Sequence, residues 1–150
     1  MDKPRLMVAL QEFEHVDSLV RLACEMSQGT LHEVIALHVV EVPASLPLDS
    51  GDGVLDRQGC KLLAEAQRVA RHRFGEEITT RLVRGRDAAH VIVREAQEHK
   101  IELLIMGYRQ KKSHLAKALM GSTVQYVVEH APCRVIVEAL AIDLPELTVA

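Results

Sequence analysis

The sequence predicts a doubly wound α/β domain built on a five-stranded parallel sheet. Three observations carry this expectation. Apolar runs of strand length alternate with segments of helical periodicity from one end of the chain to the other. Hydrophobic residues make up 48% of the chain but aromatics only 3%, namely Phe13, Phe74, Tyr108 and Tyr126. An interior of Val, Leu, Ile and Ala suits strands covered by helices on both faces. Finally, 150 residues default to one domain, long enough to bury a core.

Leu6–Leu10 (LMVAL) is a short aliphatic run and reads as the first strand. Val16, Leu19, Val20 and Ala23 then fall at i, i+3, i+4 and i+7, the spacing of a helix that buries one stripe, and Gly29 is expected to stop it. Val34–Val42 (VIALHVVEV) is the second strand, and Pro43–Gly53, with two prolines and two glycines, is loop. A helix from about Val54 to Phe74 places Leu63, Ala66, Ala70 and Phe74 on one face and closes at Gly75. Ile78–Val83 is polar at alternate positions and is expected at the sheet edge. Asp87 stands where an N-cap belongs, before Ala89, Ile92, Val93 and Ala96 at helical spacing. Ile101–Met106 (IELLIM) is the fourth strand, with Gly107 directly after it. Tyr108–Met120 has no clear period. Ser122-Thr123-Val124-Gln125 has the form of a capping box, and Val124, Val127, Val128 and Ala131 form the stripe of a last helix. Pro132 ends that helix and Val135–Val137 is the fifth strand. From Ala139 the chain (ALAIDLPELTVA) is apolar and acidic, which sets the domain at residues 1–138 and a tail at 139–150.

Five strands alternating with four helices through right-handed crossovers leave few topologies. Ligands of such sheets bind beyond the carboxyl ends of the strands, where strand order reverses. Charge and composition narrow the partners. Lys+Arg 18 against Asp+Glu 21 leaves a net charge of -3, which argues against a nucleic-acid binder. No apolar run approaches the roughly 18 residues of a membrane helix. Asp2, Glu12 and Glu14 around the first apolar run mark a strand rather than a signal peptide. Cys24, Cys60 and Cys133 are odd in number and widely spaced, with no CxxC; free thiols in a reducing cytoplasm are expected.

Leu104–Glu138 carries Gly107, then Gly121-Ser122, then His130-Ala131-Pro132-Cys133 before the last strand. In this order and spacing the segment resembles the universal stress protein family. Members of that family have a strand ending in Gly, a phosphate loop of pattern G-x-x-G-(x)9-G-[ST], a helix, H-A-P-C and a final strand. Ala36-Leu37-His38-Val39 and the Val83-Arg84-Gly85 turn also look like the family. The resemblance covers nearly the whole chain, to about Glu138. It implies a Rossmann-like sheet of order 3-2-1-4-5 and a cytoplasmic stress-response role. It also implies a homodimer formed through the last strand, at Val135, Ile136 and Val137. The implied ligand is ATP or a related adenine nucleotide, accompanied by magnesium, with Gln11, Val39, Gly107, Arg109, Gly121, Ser122 and Thr123 as contact positions. Two positions depart from the family pattern. The run Val8-Ala9-Leu10 is followed by Gln11 where nucleotide-binding members carry Asp, and Gln110 replaces the second loop glycine, with the spacer 111–120 one residue longer.

Each position has a bland reading beside the functional one. Glycines let a backbone turn and bring N–H groups close to phosphate oxygens, yet Gly107 also suits a strand end and Gly121 a helix start. Ser122 and Thr123 can offer hydroxyls and helix N-terminal N–H groups to an anion, or Ser122 can simply cap the helix; the two are compatible. Arg109, Lys111, Lys112 and Lys117 are four cations without an intervening acid, suited to a polyphosphate or to a solvated loop. Gln11 weakens a nucleotide site: a hydrogen bond to a charged group is worth roughly 1.5–3 kcal/mol, so an amide in its place costs about ten- to a hundredfold in affinity. Gln110 adds roughly 1–2 kcal/mol if a left-handed backbone is needed there. Phe13 and Tyr108 come just after strands one and four and are expected to flank the crevice. The eight histidines show no metal-ligand spacing, and His38 and His130 read as structural.

Three functional classes remain: a nucleotide sensor, a dimeric interaction module that works without ligand (including the cytosolic domain of a membrane transporter), and at most a weak ATPase. No G-x-S-x-G, H-E-x-x-H or P-loop lysine pattern names a catalytic group. Gly107, Gly121 and Ser122 favour the sensor; Gln11 and Gln110 favour the module.

Overall fold

The computed structural model describes residues 3–49, 53–109 and 121–140. Gln110, Lys111, Lys112 and Lys117, and all of the expected tail 139–150 except Ala139 and Leu140, therefore lie outside the described residues. Five parallel strands form the sheet: β1 Arg5–Ala9, β2 Glu33–Glu41, β3 Thr79–Gly85, β4 Leu103–Arg109 and β5 Arg134–Leu140. Their order is β3-β2-β1-β4-β5, with β3 and β5 at the edges, as expected. Four helices cover the faces: α1 Val16–Thr30, α2 Gly53–Phe74, α3 Ala88–Glu98 and α4 Ser122–His130.

The strand period of two divides the core cleanly. Leu6 and Val8 of β1 join Leu19 and Val20 of α1 and Leu63 and Ala66 of α2 in one buried layer. Met7 and Ala9 point the other way and join Ile92 of α3 and Val127 of α4. Both layers are almost wholly aliphatic. A single buried carboxylate among the described residues, Glu95, is 2% exposed. Arg81 Nη2 donates to its Oε1 at 2.9 Å, and His99 Nε2 lies 2.9 Å from its Oε2, so the charge is paired, as a buried ion must be. Cys24, Cys60 and Cys133 are all free thiols, and burial, with Glu76 close by, pushes the Cys24 thiol up to about 12.

Several element ends depart from the sequence expectation. β3 runs on to Gly85, so the expected Val83-Arg84-Gly85 turn is strand, paired with Val39, Val40 and Glu41 of β2. Gly29 lies inside α1, which closes on Leu31. That residue takes the left-handed conformation (φ 59), and its N–H donates to the Ser27 carbonyl at 2.7 Å. β4 does not stop at Met106 but runs on through Gly107 to Arg109, because β5 continues alongside, pairing Gly107 with Glu138 and Arg109 with Leu140. β5 is correspondingly longer than Val135–Val137, and Leu140 is buried. Ser122 is the first helical residue of α4 and not its cap. Gly121, which has no side chain to cap with, holds the cap position, so the capping box does not form. By contrast, Asp87 caps α3 as expected, accepting from the Ala89 N–H at 2.9 Å, and Gly75 closes α2 with φ 63.

Candidate functional site

β1 is the shortest of the three central strands. Its last residue, Ala9, pairs with Leu37 of β2 and Met106 of β4, whereas β2 continues to Glu41 and β4 to Arg109. One further backbone bond, from the Leu10 N–H to the Leu37 carbonyl at 2.8 Å, completes the pairing. Beyond it a notch opens at the carboxyl ends, where strand order reverses and such sheets bind ligands.

Two clefts occupy the notch and share Gln11 and Glu41 on their rims. The first, about 260 Å³, lies between the ends of β1 and β4 and the start of α4, with Glu12, Gly107, Arg109 and Thr123 on its walls. The second, about 470 Å³, lies between the end of β2 and α2, lined by Phe13, His38, Val39, Gln58 and Lys61 among others. Five of the seven expected contact positions thus line two adjoining cavities: Gln11 both, Val39 the second, and Gly107, Arg109 and Thr123 the first. Gly121 and Ser122 stand beside Thr123 at the head of α4 but line neither cleft among the described residues.

Gln11 sits where β2 has lost its neighbour. Its Oε1 accepts from the Val39 N–H at 3.2 Å and its Nε2 donates to the Val39 carbonyl at 3.4 Å. The primary amide thereby extends the ladder by one peptide-like rung, which satisfies backbone groups that would otherwise need water or a ligand. His38 is held in a fixed tautomer, because its Nδ1 lies 2.7 Å from the Leu10 carbonyl, which can only accept. This contact fits the structural role expected of His38. His130 Nδ1 likewise donates to the Tyr126 carbonyl at 2.9 Å.

Gly107 is needed for close approach and not for a turn. A Cβ there would sit inside the envelope of Leu140 and 3.2 Å from Leu19 Cδ1. Gly121 is the opposite case: its φ of -56 suits any residue, and among the described residues a Cβ would meet nothing within 4 Å. Arg109 projects from the end of β4 toward the segment after β1, 3.8 Å from a carboxylate oxygen of Glu12 and 4.0 Å from one of Glu14. Among the described residues of the first cleft it is the sole Lys or Arg, sharing the walls with the carboxylates of Glu12 and Glu41.

Phe13 and Tyr108 do not face each other across the notch. Phe13, in a single 3-10 turn over Phe13–His15, is 55% exposed on the wall of the second cleft. Tyr108 comes after Gly107 in a strand and so points to the opposite face, onto the α3–α4 layer. Glu12, Glu14 and Glu41 escaped the expectation altogether. Their sequence signal, acids just past the first strand and at the end of the second, becomes meaningful only once strand order places those ends side by side. Two triplets, Glu12–Glu14–His15 and Glu95–Glu98–His99, bring ligand-type atoms within 4.8 Å of one another despite the lack of metal spacing in the sequence. Arg109 and Arg81 lie against their carboxylates, which opposes a cation at either.

A parallel sheet of this order, opened at its switch point into a cleft that reaches a helix N-terminus, defines a doubly wound α/β domain whose notch lies where such folds bind ligands. Comparison with known proteins makes the family plain: the chain belongs to the universal stress protein family, whose family model matches residues 4–137. A universal stress protein of Methanothermobacter thermautotrophicus is 30% identical over 128 residues, 81% of this chain and 86% of that one. The structure of a universal stress protein from Archaeoglobus fulgidus matches with a TM-score of 0.73 at 21% identity, covering 91% of this chain and 93% of that one. A universal stress protein from the same organism in complex with dAMP matches with a TM-score of 0.68 at 19% identity, over 91% and 98% of the two chains. Other structures of the fold are solved with cAMP and with AMP. No helix among the described residues is long and apolar enough to cross a membrane.

Proposed function

We propose that this chain is a regulatory domain that binds an adenine nucleotide weakly in the notch at the carboxyl end of β1. The observation that carries the reading is the donor–acceptor pair of Val39, met by a side-chain amide from the same chain. An adenine edge, with an acceptor ring nitrogen next to an amino group, offers the same pattern as that amide. The structures of the fold solved with dAMP, AMP and cAMP support the choice of ligand class. At the other end of the notch, Arg109 and the α4 N-terminus at Ser122 and Thr123 offer positive charge and N–H groups to phosphate. Magnesium binds through one or two carboxylates plus substrate phosphates; Glu41 is on the same cleft and would offer one, while Glu12 lies against Arg109. The site is degenerate in the sense that its polar groups are already engaged by Gln11, Glu12 and Glu14.

The half-buried edge strand β5, with Val135, Ile136 and Val137, supports pairing of two copies through that strand. It also favours the second reading, an interaction module that dimerises and works without ligand. Calorimetric titration with AMP and with ATP–magnesium, beside Gly121→Asp, separates the two. The expected result is saturable binding by the wild type, weakened at least about tenfold in the variant by charge repulsion. An acid at a helix N-terminus stabilises the helix, so the variant keeps its fold. Absence of saturable heat at millimolar nucleotide would leave the module reading. Sedimentation equilibrium on the same sample tests the dimer; a monomer at all concentrations refutes it.

A further inference from the structure

We propose, resting on the nucleotide reading above, that the segment Gln11–Glu14 (QEFE) is an internal stand-in for the nucleotide, and that ligand binding requires its displacement. Three contacts place it in the notch as a nucleotide would lie. The Gln11 amide engages both polar groups of Val39, presenting an acceptor beside an amino donor. The carboxylates of Glu12 and Glu14 stand 3.8 and 4.0 Å from Arg109, and guanidinium groups take carboxylate and phosphate alike. Between them the Phe13 ring lies on the wall of the cleft that holds Val39. A neutral amide edge therefore occupies one end of the notch and anions the other, four consecutive residues spanning both.

The segment is built to be displaced. Phe13–His15 is a single 3-10 turn with no side-chain cap, so the Glu12 carboxylate is released from backbone duty to pair with Arg109 and, at 3.6 Å, with His15. The Arg109 pairs are long and exposed, with 63% of its side chain open to solvent, and exposed pairs of this kind are weak and screened by salt. The Gln11 bonds, at 3.2 and 3.4 Å, are also long. A ligand that makes shorter bonds to the same groups can take them over, turning the Gln11, Glu12 and Glu14 side chains out of the notch while the fully buried Val16 keeps the start of α1 in place.

The test uses two probes, AMP and adenosine, titrated against the full chain by calorimetry. Gln11→Ala frees Val39 and is expected to tighten both probes about tenfold. Glu12→Gln with Glu14→Gln frees Arg109 and is expected to tighten AMP while leaving adenosine unchanged. None of the three side chains is buried, so the variants should still unfold cooperatively, with melting temperatures lowered by only a few degrees as the released contacts are lost. If the wild type binds AMP and neither set of substitutions strengthens binding, the stand-in is refuted while the nucleotide reading survives. If neither the wild type nor any variant binds either probe saturably, the nucleotide reading falls and the stand-in with it.

Discussion

The two ends of the sheet are built differently. At the amino end the three central strands start nearly level, and backbone meets backbone. The Glu33 N–H donates to the Pro4 carbonyl at 2.8 Å and the Glu102 N–H to the Arg5 carbonyl at 2.9 Å. The Arg5 guanidinium donates to the His99 carbonyl at 3.1 Å and lies 3.6 Å from Glu33. At the carboxyl end β1 stops early, and side chains take over the pairing with backbone: Gln11 on Val39, His38 on Leu10. Backbone bonds carry the strand pairing at the amino end, where the Arg5 guanidinium adds to them, whereas beyond Leu10 at the carboxyl end side chains alone continue it. Strand length alone decides which end is which.

Three substitutions would break or sharpen this contrast. Leu104, fully buried one residue into β4, belongs to the closed end. Leu104→Ala is expected to cost about 2–5 kcal/mol in urea unfolding through lost contacts and a cavity, with unchanged nucleotide affinity in the folded protein. A cost as small as that of a surface change would deny the closed end its structural role. Gly107 stands at the border. Gly107→Val forces Leu140 and Leu19 aside for about 1–3 kcal/mol and fills the floor of the first cleft, so stability and nucleotide binding should fall together; full retention of both would mean the close approach is irrelevant. Gly121→Ala should change stability by no more than about 0.5 kcal/mol, because the loss of a favoured N-cap residue is offset by a stiffer unfolded chain. A loss well above that would show the head of α4 to be more constrained than its open backbone implies.

Most of the fold was legible in the chain, because strand and helix periods are local and the aliphatic core leaves them uncluttered. Element ends were less so. Gly29 looks like a stop, yet the helix closes on Leu31, since a hydrogen bond to the Ser27 carbonyl holds that residue in the left-handed region. Gly107 looks like a strand end, yet β5 carries the pairing onward. Of the expected contact positions, Gln11, Val39, Gly107, Arg109 and Thr123 line the adjoining clefts, whereas Gly121 and Ser122 do not. The site was misread at Tyr108, whose direction is set by strand alternation once β4 is known to continue.

Composition and periodicity by themselves determined an aliphatic, helix-covered parallel sheet, because burial on two faces demands such residues at such spacing. The short motifs by themselves determined the family. Only the tertiary structure decided what Gln11, Glu12 and Glu14 do. Their partners, Val39 and Arg109, lie 28 or more residues away along the chain and come within reach because β1 ends before its neighbours. A contact between distant segments depends on strand order and relative strand length, and neither is written in any local stretch of sequence.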